Sequence, residues 1–132
     1  MELERIDPET AKSLLDSDDG YVYLDVRSAE EFEAGHVPGS RNLPWAHRNP
    51  DGPGLLPNPA FVQQVEQDFP KDTKLIVGCL RGGRSMKAVM TLMADGYTQV
   101  VDMRGGYDAE LDAGGNVTFE GWARRGLPTT TD

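Results

Sequence analysis

Short apolar segments alternate with amphipathic segments along most of this chain, and no other feature of the sequence constrains the fold as strongly. Segments with the β-rich composition and the length of strands occur at 21–26, 39–43, 74–79 and 99–103. Most of the stretches between them carry apolar residues at helical spacing. Strands that alternate with helices in this way indicate an α/β fold with a mainly parallel sheet. In that class, binding sites lie at the carboxyl ends of the strands.

Helix start and stop signals give the bounds of the predicted helices. The start signals are an aspartate before a proline and a serine with a glutamate three residues later, and the stop signals are terminal glycine or proline residues. They predict helices over 7–20, 28–35, 58–70 and 85–96. The proline-rich stretch 44–57 is predicted as a loop. A short helix is expected over 107–112, within a less regular carboxyl-terminal segment. The length of 132 residues predicts a single domain over residues 1–132.

The charge balance limits the partners of the chain. Its 13 basic and 22 acidic side chains give a formal net charge of −9, which argues against nucleic acid or an anionic membrane as a partner. No run approaches the roughly 20 apolar residues of a membrane span, and residues 1–5 lack the features of a secretion signal, so a cytoplasmic protein is expected. One cysteine and two histidines make a poor metal site, and we expect neither a metal nor an organic cofactor.

The only cysteine, Cys79, ends the predicted strand 74–79 and precedes a glycine-rich loop and a predicted helix. Such a loop directs backbone N–H groups and the positive helix end toward one point, which favours an anion there. A free thiol has a pKa of about 8.5, and these groups favour the thiolate that acts as the nucleophile. Gly82 and Gly83 permit backbone angles closed to other residues. The amides expected around the sulfur belong to Leu80, Arg81, Gly82, Gly83, Arg84 and Ser85.

Three motifs occur in order along the chain. The first is Leu24-Asp25-Val26-Arg27 followed by Glu31-Phe32 and the segment 35–44. The second is the loop from Cys79 to Ser85, and the third is Gly105-Gly106 with the segment 122–128. Together they resemble the rhodanese family of sulfurtransferases, and they span nearly the whole chain. The resemblance implies a central, mainly parallel five-stranded sheet flanked by helices on both faces.

The resemblance also implies a reaction in two steps. Cys79 attacks the outer sulfur of a small anionic donor such as thiosulfate and becomes a persulfide. A thiophilic acceptor such as cyanide or a thiol, including a protein thiol, then removes that sulfur. Arg81 is expected to steer the donor and to stabilise the leaving sulfite. Arg84 is expected to do the same or to brace the loop.

Three other residues of the first motif are interpreted as structural. Asp25 and Arg27 are expected to form ion pairs or caps near the site, and His36 is expected to bond to the backbone in a turn. Two segments have no assigned role: the acidic insertion 107–121 and the proline-rich stretch 46–58. Three roles are open for each segment: it is a plain surface loop, it covers the pocket, or it contacts a protein partner. The oligomeric state is left open.

Two other classes of function are open alternatives. Cysteine phosphatases and arsenate reductases also place a cysteine in an anion-binding loop. The phosphatases have five residues between the cysteine and the arginine of that loop, whereas only four separate Cys79 and Arg84. The shorter loop favours a single sulfur atom over a phosphoryl group. The second alternative is a noncatalytic rhodanese-like module, which binds a partner or senses oxidants through the same thiolate.

Overall fold

The computed structural model describes residues 3–132. Within this part of the chain, the helices are α1 (Pro8–Asp16), α2 (Ala29–Ala34), α3 (Phe61–Asp68) and α4 (Gly83–Ala94). The strands are β1 (Arg5–Ile6), β2 (Val22–Asp25), β3 (Arg41–Asn42), β4 (Ala46–Arg48), β5 (Leu55–Pro57), β6 (Leu75–Gly78), β7 (Val100–Met103), β8 (Ala109–Leu111) and β9 (Val117–Glu120). None of the described helices is long and apolar enough to cross a membrane.

Five strands form the central sheet in the order β1-β7-β6-β2-β3, and every neighbouring pair is parallel. This confirms the predicted five-stranded parallel sheet. The central strand β6 places Val77 beside Leu24 of β2 and beside Asp102 of β7. The edge strand β1 consists of only Arg5 and Ile6. Two residues, one of them charged, give no strand periodicity, so this strand is not predictable from the sequence pattern.

Helices cover both faces of the sheet, which confirms the predicted layers. Successive residues of a strand point to opposite faces. On one face, the strands pack against α3 and α4 in a buried cluster that includes Leu24, Val65, Val77 and Val89. On the other face, a second buried cluster includes Ala11 of α1, Tyr23, Ile76 and Trp122. Between these layers, the carboxyl end of β6 leads into α4 through the loop that contains Cys79.

The stretch 44–57, predicted as a loop, contains the antiparallel hairpin of β4 and β5. Asn49 closes its turn, because its side chain accepts a hydrogen bond from the N–H of Asp51 and its own N–H donates to the carbonyl of Gly54. Ala46 of β4 is buried, whereas all three residues of β5 are exposed. A strand this exposed and this short leaves no alternating pattern in the sequence.

The short helix predicted over 107–112 is wrong, because this stretch contains β8, which forms an antiparallel hairpin with β9. Asp112 forms the turn: its carboxylate accepts hydrogen bonds from the N–H groups of Gly114 and Asn116. Such local bonding of an aspartate side chain competes with helix formation. The four longer helices agree with the prediction apart from their ends, and α4 begins at Gly83 rather than at Ser85.

Candidate active site

Cys79 directly follows the central strand β6 and is only 1% exposed. The backbone N–H of Gly82 donates to its sulfur at 3.0 Å and that of Ser85 at 3.3 Å, while the Ser85 hydroxyl oxygen lies 3.4 Å from the sulfur. Hydrogen bonds from backbone donors favour the anionic form of such a group over its neutral form. The loop therefore forms a cradle that suits a thiolate.

Gly82 determines the shape of this cradle. Its φ of +98° lies in the left-handed region that favours glycine, and the residue is the N-cap of α4. In this conformation its N–H reaches the Cys79 sulfur. The other expected donors behave differently: in the described part of the chain, no hydrogen bond joins the sulfur to the amides of Leu80, Arg81, Gly83 and Arg84.

Arg84 and Arg81 have different surroundings. Arg84 donates from Nη1 to Glu31 Oε1 at 2.7 Å and from Nη2 to Glu31 Oε2 at 3.0 Å. Glu31 also accepts from the N–H of Ser28, which closes the capping box of α2. Burial alone would raise the pKa of Glu31, but its bonds to Arg84 and Ser28 outweigh burial and lower the pKa to about 2. Arg81 is exposed and forms no ion pair within residues 3–132.

A cleft of about 350 Å³ borders the cradle, and it is lined by Cys79, Leu80, Arg81, Gly83, Arg84 and Lys87. Three of these side chains are cationic, and none is acidic. Because Arg84 is already paired with Glu31, most of the uncompensated positive charge comes from Arg81 and Lys87. The cleft therefore suits a small anion next to the nucleophile.

The insertion 107–121 begins directly behind the Cys79 loop. The N–H of Tyr107 donates to the Cys79 carbonyl at 2.7 Å, and the N–H of Asp108 donates to the Leu80 carbonyl at 3.0 Å. A Cβ atom at Gly106 would stand 2.6 Å from both carbonyl oxygens, so only glycine fits there. Leu80 and Tyr107 also line a second cleft, of about 330 Å³. The first residues of the insertion thus support the Cys79 loop, and this contact does not depend on the role of the hairpin formed by β8 and β9.

Asp25, the last residue of β2, forms a buried ion pair with Arg27. Arg27 Nη2 donates to Asp25 Oδ2 at 2.8 Å and to the carbonyl of Gly35 at 2.7 Å. Its guanidinium carbon lies 4.3 Å from the centroid of the Tyr107 ring. The pair thereby connects the end of β2 to the end of α2 and to the insertion. Within residues 3–132 the pair makes no hydrogen bond to Cys79, and its expected structural role stays a prediction.

His36 is held by backbone groups rather than by the cradle. Its Nδ1 lies 2.7 Å from the carbonyl oxygen of Phe32 and its Nε2 lies 2.8 Å from the main-chain oxygen of Asp132. The imidazole also stacks on the Phe32 ring, with centroids 3.7 Å apart. A buried ring fixed in this way supports the turn after α2.

Sequence reasoning did not assign a place in or beside the site to Glu31, Lys87, Tyr107 or Asp102, and Lys87 gives no signal beyond its place in an amphipathic helix. Glu31 belongs to the first motif and is predicted as a capping residue, but no local pattern joins it to Arg84, 53 positions away. Tyr107 gives no signal beyond its position after the glycine pair. Asp102 does give one, because it is the only charged residue of β7. No group of three or more His, Cys, Asp or Glu side chains suited to a metal ion occurs within residues 3–132.

The chain is similar to known proteins over most of its length. A model of the rhodanese-like domain matches residues 7–112. Thiosulfate sulfurtransferase 16, chloroplastic, of Arabidopsis thaliana is 43% identical over 110 residues, which cover 83% of this chain and 80% of the relative. The mitochondrial protein HIGH ARSENIC CONTENT 1 of the same plant is 42% identical over 113 residues, which cover 86% of this chain and 64% of the relative.

The fold also matches a solved structure. The crystal structure of Rv0390 from M. tuberculosis aligns with a TM-score of 0.80 and 25% identity, and the match covers 100% of both chains. The region matched by the family model contains the cradle around Cys79 and four strands of the central sheet. The sheet, the cradle and the similar sequences thus agree, and the chain belongs to the rhodanese-like domain family.

Proposed function

We propose that this chain moves a sulfane sulfur from a small anionic donor to a thiophilic acceptor through a persulfide on Cys79. The observation that carries the proposal is a buried sulfur that accepts two backbone N–H bonds and borders a cationic cleft. A sulfur nucleophile needs the thiolate form and access to its substrate. The similarity to a protein named thiosulfate sulfurtransferase supports thiosulfate as the donor.

In the first step, the Cys79 thiolate attacks the outer sulfur of thiosulfate. A bond forms between the two sulfur atoms as the S–S bond of thiosulfate breaks, and sulfite leaves with the electron pair. Arg81 and Lys87 line the cleft and stabilise the anionic donor and the leaving sulfite. The step needs no proton transfer, because the nucleophile and the leaving group are both anions.

In the second step, cyanide or a thiolate attacks the outer sulfur of the persulfide. The S–S bond of the persulfide breaks, and Cys79 leaves as a thiolate. The N–H groups of Gly82 and Ser85 stabilise this leaving group as they stabilised the nucleophile. Since the chain has no second cysteine, the acceptor is a separate molecule.

Intact-mass measurement tests this proposal. We expect the protein to gain the mass of one sulfur atom on incubation with thiosulfate and to lose it on addition of cyanide, with release of thiocyanate. Cys79→Ser is the matched control, because it places a hydroxyl in the same cradle and must gain no sulfur. A wild-type protein that gains no sulfur, or a Cys79→Ser protein that still forms thiocyanate, would overturn the mechanism.

Reduction of arsenate is a second candidate, because the chain is similar to a protein named for high arsenic content. Arsenate is an oxyanion, and the charge of the cleft suits it. Formation of arsenite from arsenate with a thiol reductant, without sulfur gain from thiosulfate, would favour this candidate. Hydrolysis of an aryl phosphate without sulfur gain would favour a phosphatase. A folded protein with none of these reactions would favour a noncatalytic module.

A further inference from the structure

The side chain of Arg5 lies beside the nucleophile loop, although Arg5 belongs to the edge strand β1. Its guanidinium occupies the space in which a side chain of Gly82 would lie, because a Cβ atom built on Gly82 would stand 3.2 Å from Arg5 Nη2. Gly82 is buried and donates its N–H to the Cys79 sulfur at 3.0 Å. The proposed reaction uses that N–H and assigns no role to Arg5.

Two carboxylates fix the position of this guanidinium. Arg5 Nε donates to Asp102 Oδ2 at 2.8 Å, and Asp102 is fully buried on β7. Arg5 Nη2 donates to Glu110 Oε2 at 3.0 Å, and the same oxygen accepts a hydrogen bond from the N–H of Gly105 at 3.0 Å. Hydrogen bonds between charged groups are strong, and a planar guanidinium that bonds on two sides has little freedom to rotate. The guanidinium is therefore held in one place beside the loop.

Glu110 belongs to β8, in the insertion 107–121 to which the sequence assigns no role. The first residues of the insertion contact the first half of the loop, where two of their backbone N–H groups donate to the carbonyl oxygens of Cys79 and Leu80. Glu110 reaches the second half, because its Oε2 would stand 3.8 Å from a Cβ atom built on Gly82. The insertion therefore contacts the nucleophile loop on both sides of its turn.

The contact of Arg5 with the loop is one of shape rather than of net charge. Arg5 bonds to the carboxylates of Asp102 and Glu110. Arg104 Nε also lies 3.5 Å from Glu110 Oε2, so the charges of these four groups sum to zero. The cleft beside the nucleophile is lined by other residues, so neither Arg5 nor Glu110 contacts a donor bound there. What they contact is Gly82, whose φ of +98° directs its N–H to the sulfur.

We propose that Arg5 and Glu110 are positioning residues, which keep Gly82 in the conformation that donates to the Cys79 sulfur. Without the guanidinium beside it, a glycine has other backbone conformations open to it, and in those its N–H leaves the sulfur. The hairpin of the insertion thus supports the nucleophile through Glu110 and Arg5. The contact itself belongs to the free protein, and only its effect on turnover rests on the proposed sulfur transfer.

Amide hydrogen exchange, measured residue by residue by NMR, tests the positioning directly. In Glu110→Ala we expect the Gly82 N–H to exchange about tenfold faster than in the wild-type protein, while the N–H of Val77, in the centre of the sheet, exchanges at its wild-type rate. Glu120→Ala is the matched control, because Glu120 is an exposed glutamate of the same hairpin, and both rates must stay unchanged. A Gly82 rate that rises no more than the Val77 rate overturns the proposal, since Val77 reports opening of the whole fold.

Arg5→Lys tests the guanidinium itself. Lysine keeps a cation beside the buried carboxylate of Asp102, but its single ammonium group lacks the planar fork that bonds to Asp102 and Glu110 at once. We expect Gly82 to exchange about tenfold faster in this variant as well, again with no change at Val77. A wild-type Gly82 rate in Arg5→Lys would show that the guanidinium does not hold the loop, and would overturn the proposal.

Steady-state thiocyanate formation gives a second readout. We expect Glu110→Ala to lower kcat about fivefold and to leave the KM for thiosulfate unchanged, because Glu110 acts on the nucleophile loop and not on the donor. An unchanged kcat, or a KM that rises instead, overturns the proposal. Hydrogen exchange uses no sulfur donor, so the two proposals fail separately: faster exchange at Gly82 in a protein whose wild type transfers no sulfur would support the positioning and contradict the sulfur transfer.

Discussion

Arg84 of α4 and Glu31 of α2 are joined by two hydrogen bonds, of 2.7 Å and 3.0 Å, although 53 positions separate them in the chain. The same carboxylate closes the capping box of α2. Arg84 therefore holds α2 against the nucleophile loop. Arg81 lines the cleft and has no carboxylate partner within residues 3–132. The two arginines of the loop thus have separate expected roles, support for Arg84 and donor binding for Arg81.

Replacement of Arg81 is expected to weaken donor binding. Arg81→Ala removes a cation from the cleft, and we expect the KM for thiosulfate to rise about tenfold while Tm changes little. Arg48→Ala is the matched control, because Arg48 is an exposed arginine of β4 that does not line the cleft. Steady-state thiocyanate formation and thermal unfolding measure both effects. Equal KM values for the two variants would contradict the role of Arg81.

Glu31 is expected to make stability depend on pH in the acid range. Its pKa in the folded protein, about 2, lies below its ordinary value of 4.5, so the carboxylate stabilises the fold above that range. This stability is lost as the pH falls from about 4.5 to about 2. Glu31→Gln removes this dependence and lowers the free energy of unfolding at neutral pH by about 1–3 kcal/mol.

Urea unfolding at neutral pH and near the lower end of that range measures the effect of Glu31. Glu33→Gln is the control, because Glu33 is an exposed glutamate of the same helix. Its free energy of unfolding is expected to stay close to the wild-type value at neutral pH. A Glu31→Gln protein with the full wild-type acid dependence would show that the bonds to Arg84 do not persist in solution.

The parts of the fold that could be predicted are those encoded by neighbouring residues. The sequence around Cys79 contains the end of a buried strand, two glycines and the start of an amphipathic helix, and these local signals predict both the loop and its thiolate cradle. The parallel sheet follows from the alternation of strands and helices. The Ser28 and Glu31 capping box is likewise local, and the structure contains it.

The remaining features depend on contacts between distant residues. Arg5 lies in an edge strand only because this segment pairs with β7. A two-residue strand has no periodicity of its own. The hairpin that contains Glu110 replaces the predicted helix because Asp112 bonds to the turn that follows it. The position of Asp102 beside Val77 likewise requires β7 to pair with β6, which no local pattern in the sequence shows.

A methyl group at Gly82 is expected to disturb the cradle. The φ of +98° is one that L residues rarely adopt, and a Cβ atom would stand 3.2 Å from Arg5 Nη2. Gly82→Ala is expected to cost about 1–2 kcal/mol of stability and to lower kcat/KM about tenfold or more, because its N–H moves away from the sulfur. Gly96→Ala is the control, since Gly96 has a similar φ of +102° but lies after α4 and does not line the cleft. Equal activity in the two variants would contradict this role for Gly82.

Asp25 and Arg27 are expected to contribute to stability as one unit. Both side chains are 2% exposed, so Arg27→Met leaves a buried carboxylate without its partner and is expected to lower the free energy of unfolding by about 3–5 kcal/mol. Asp25→Leu leaves the opposite charge and is expected to cost a similar amount. The double variant carries neither charge, so its cost is expected to be smaller than the sum of the two single costs.

The double variant nevertheless stays less stable than the wild-type protein, because Arg27 also donates to the Gly35 carbonyl and lies over the Tyr107 ring. Urea unfolding of the wild-type protein, the two single variants and the double variant gives the coupling free energy directly. Costs that simply add would show that the ion pair contributes little. In that case Arg27 would stabilise the site through Gly35 and Tyr107, and Asp25 through the hydrogen bond that its side chain accepts from the backbone N–H of Arg27.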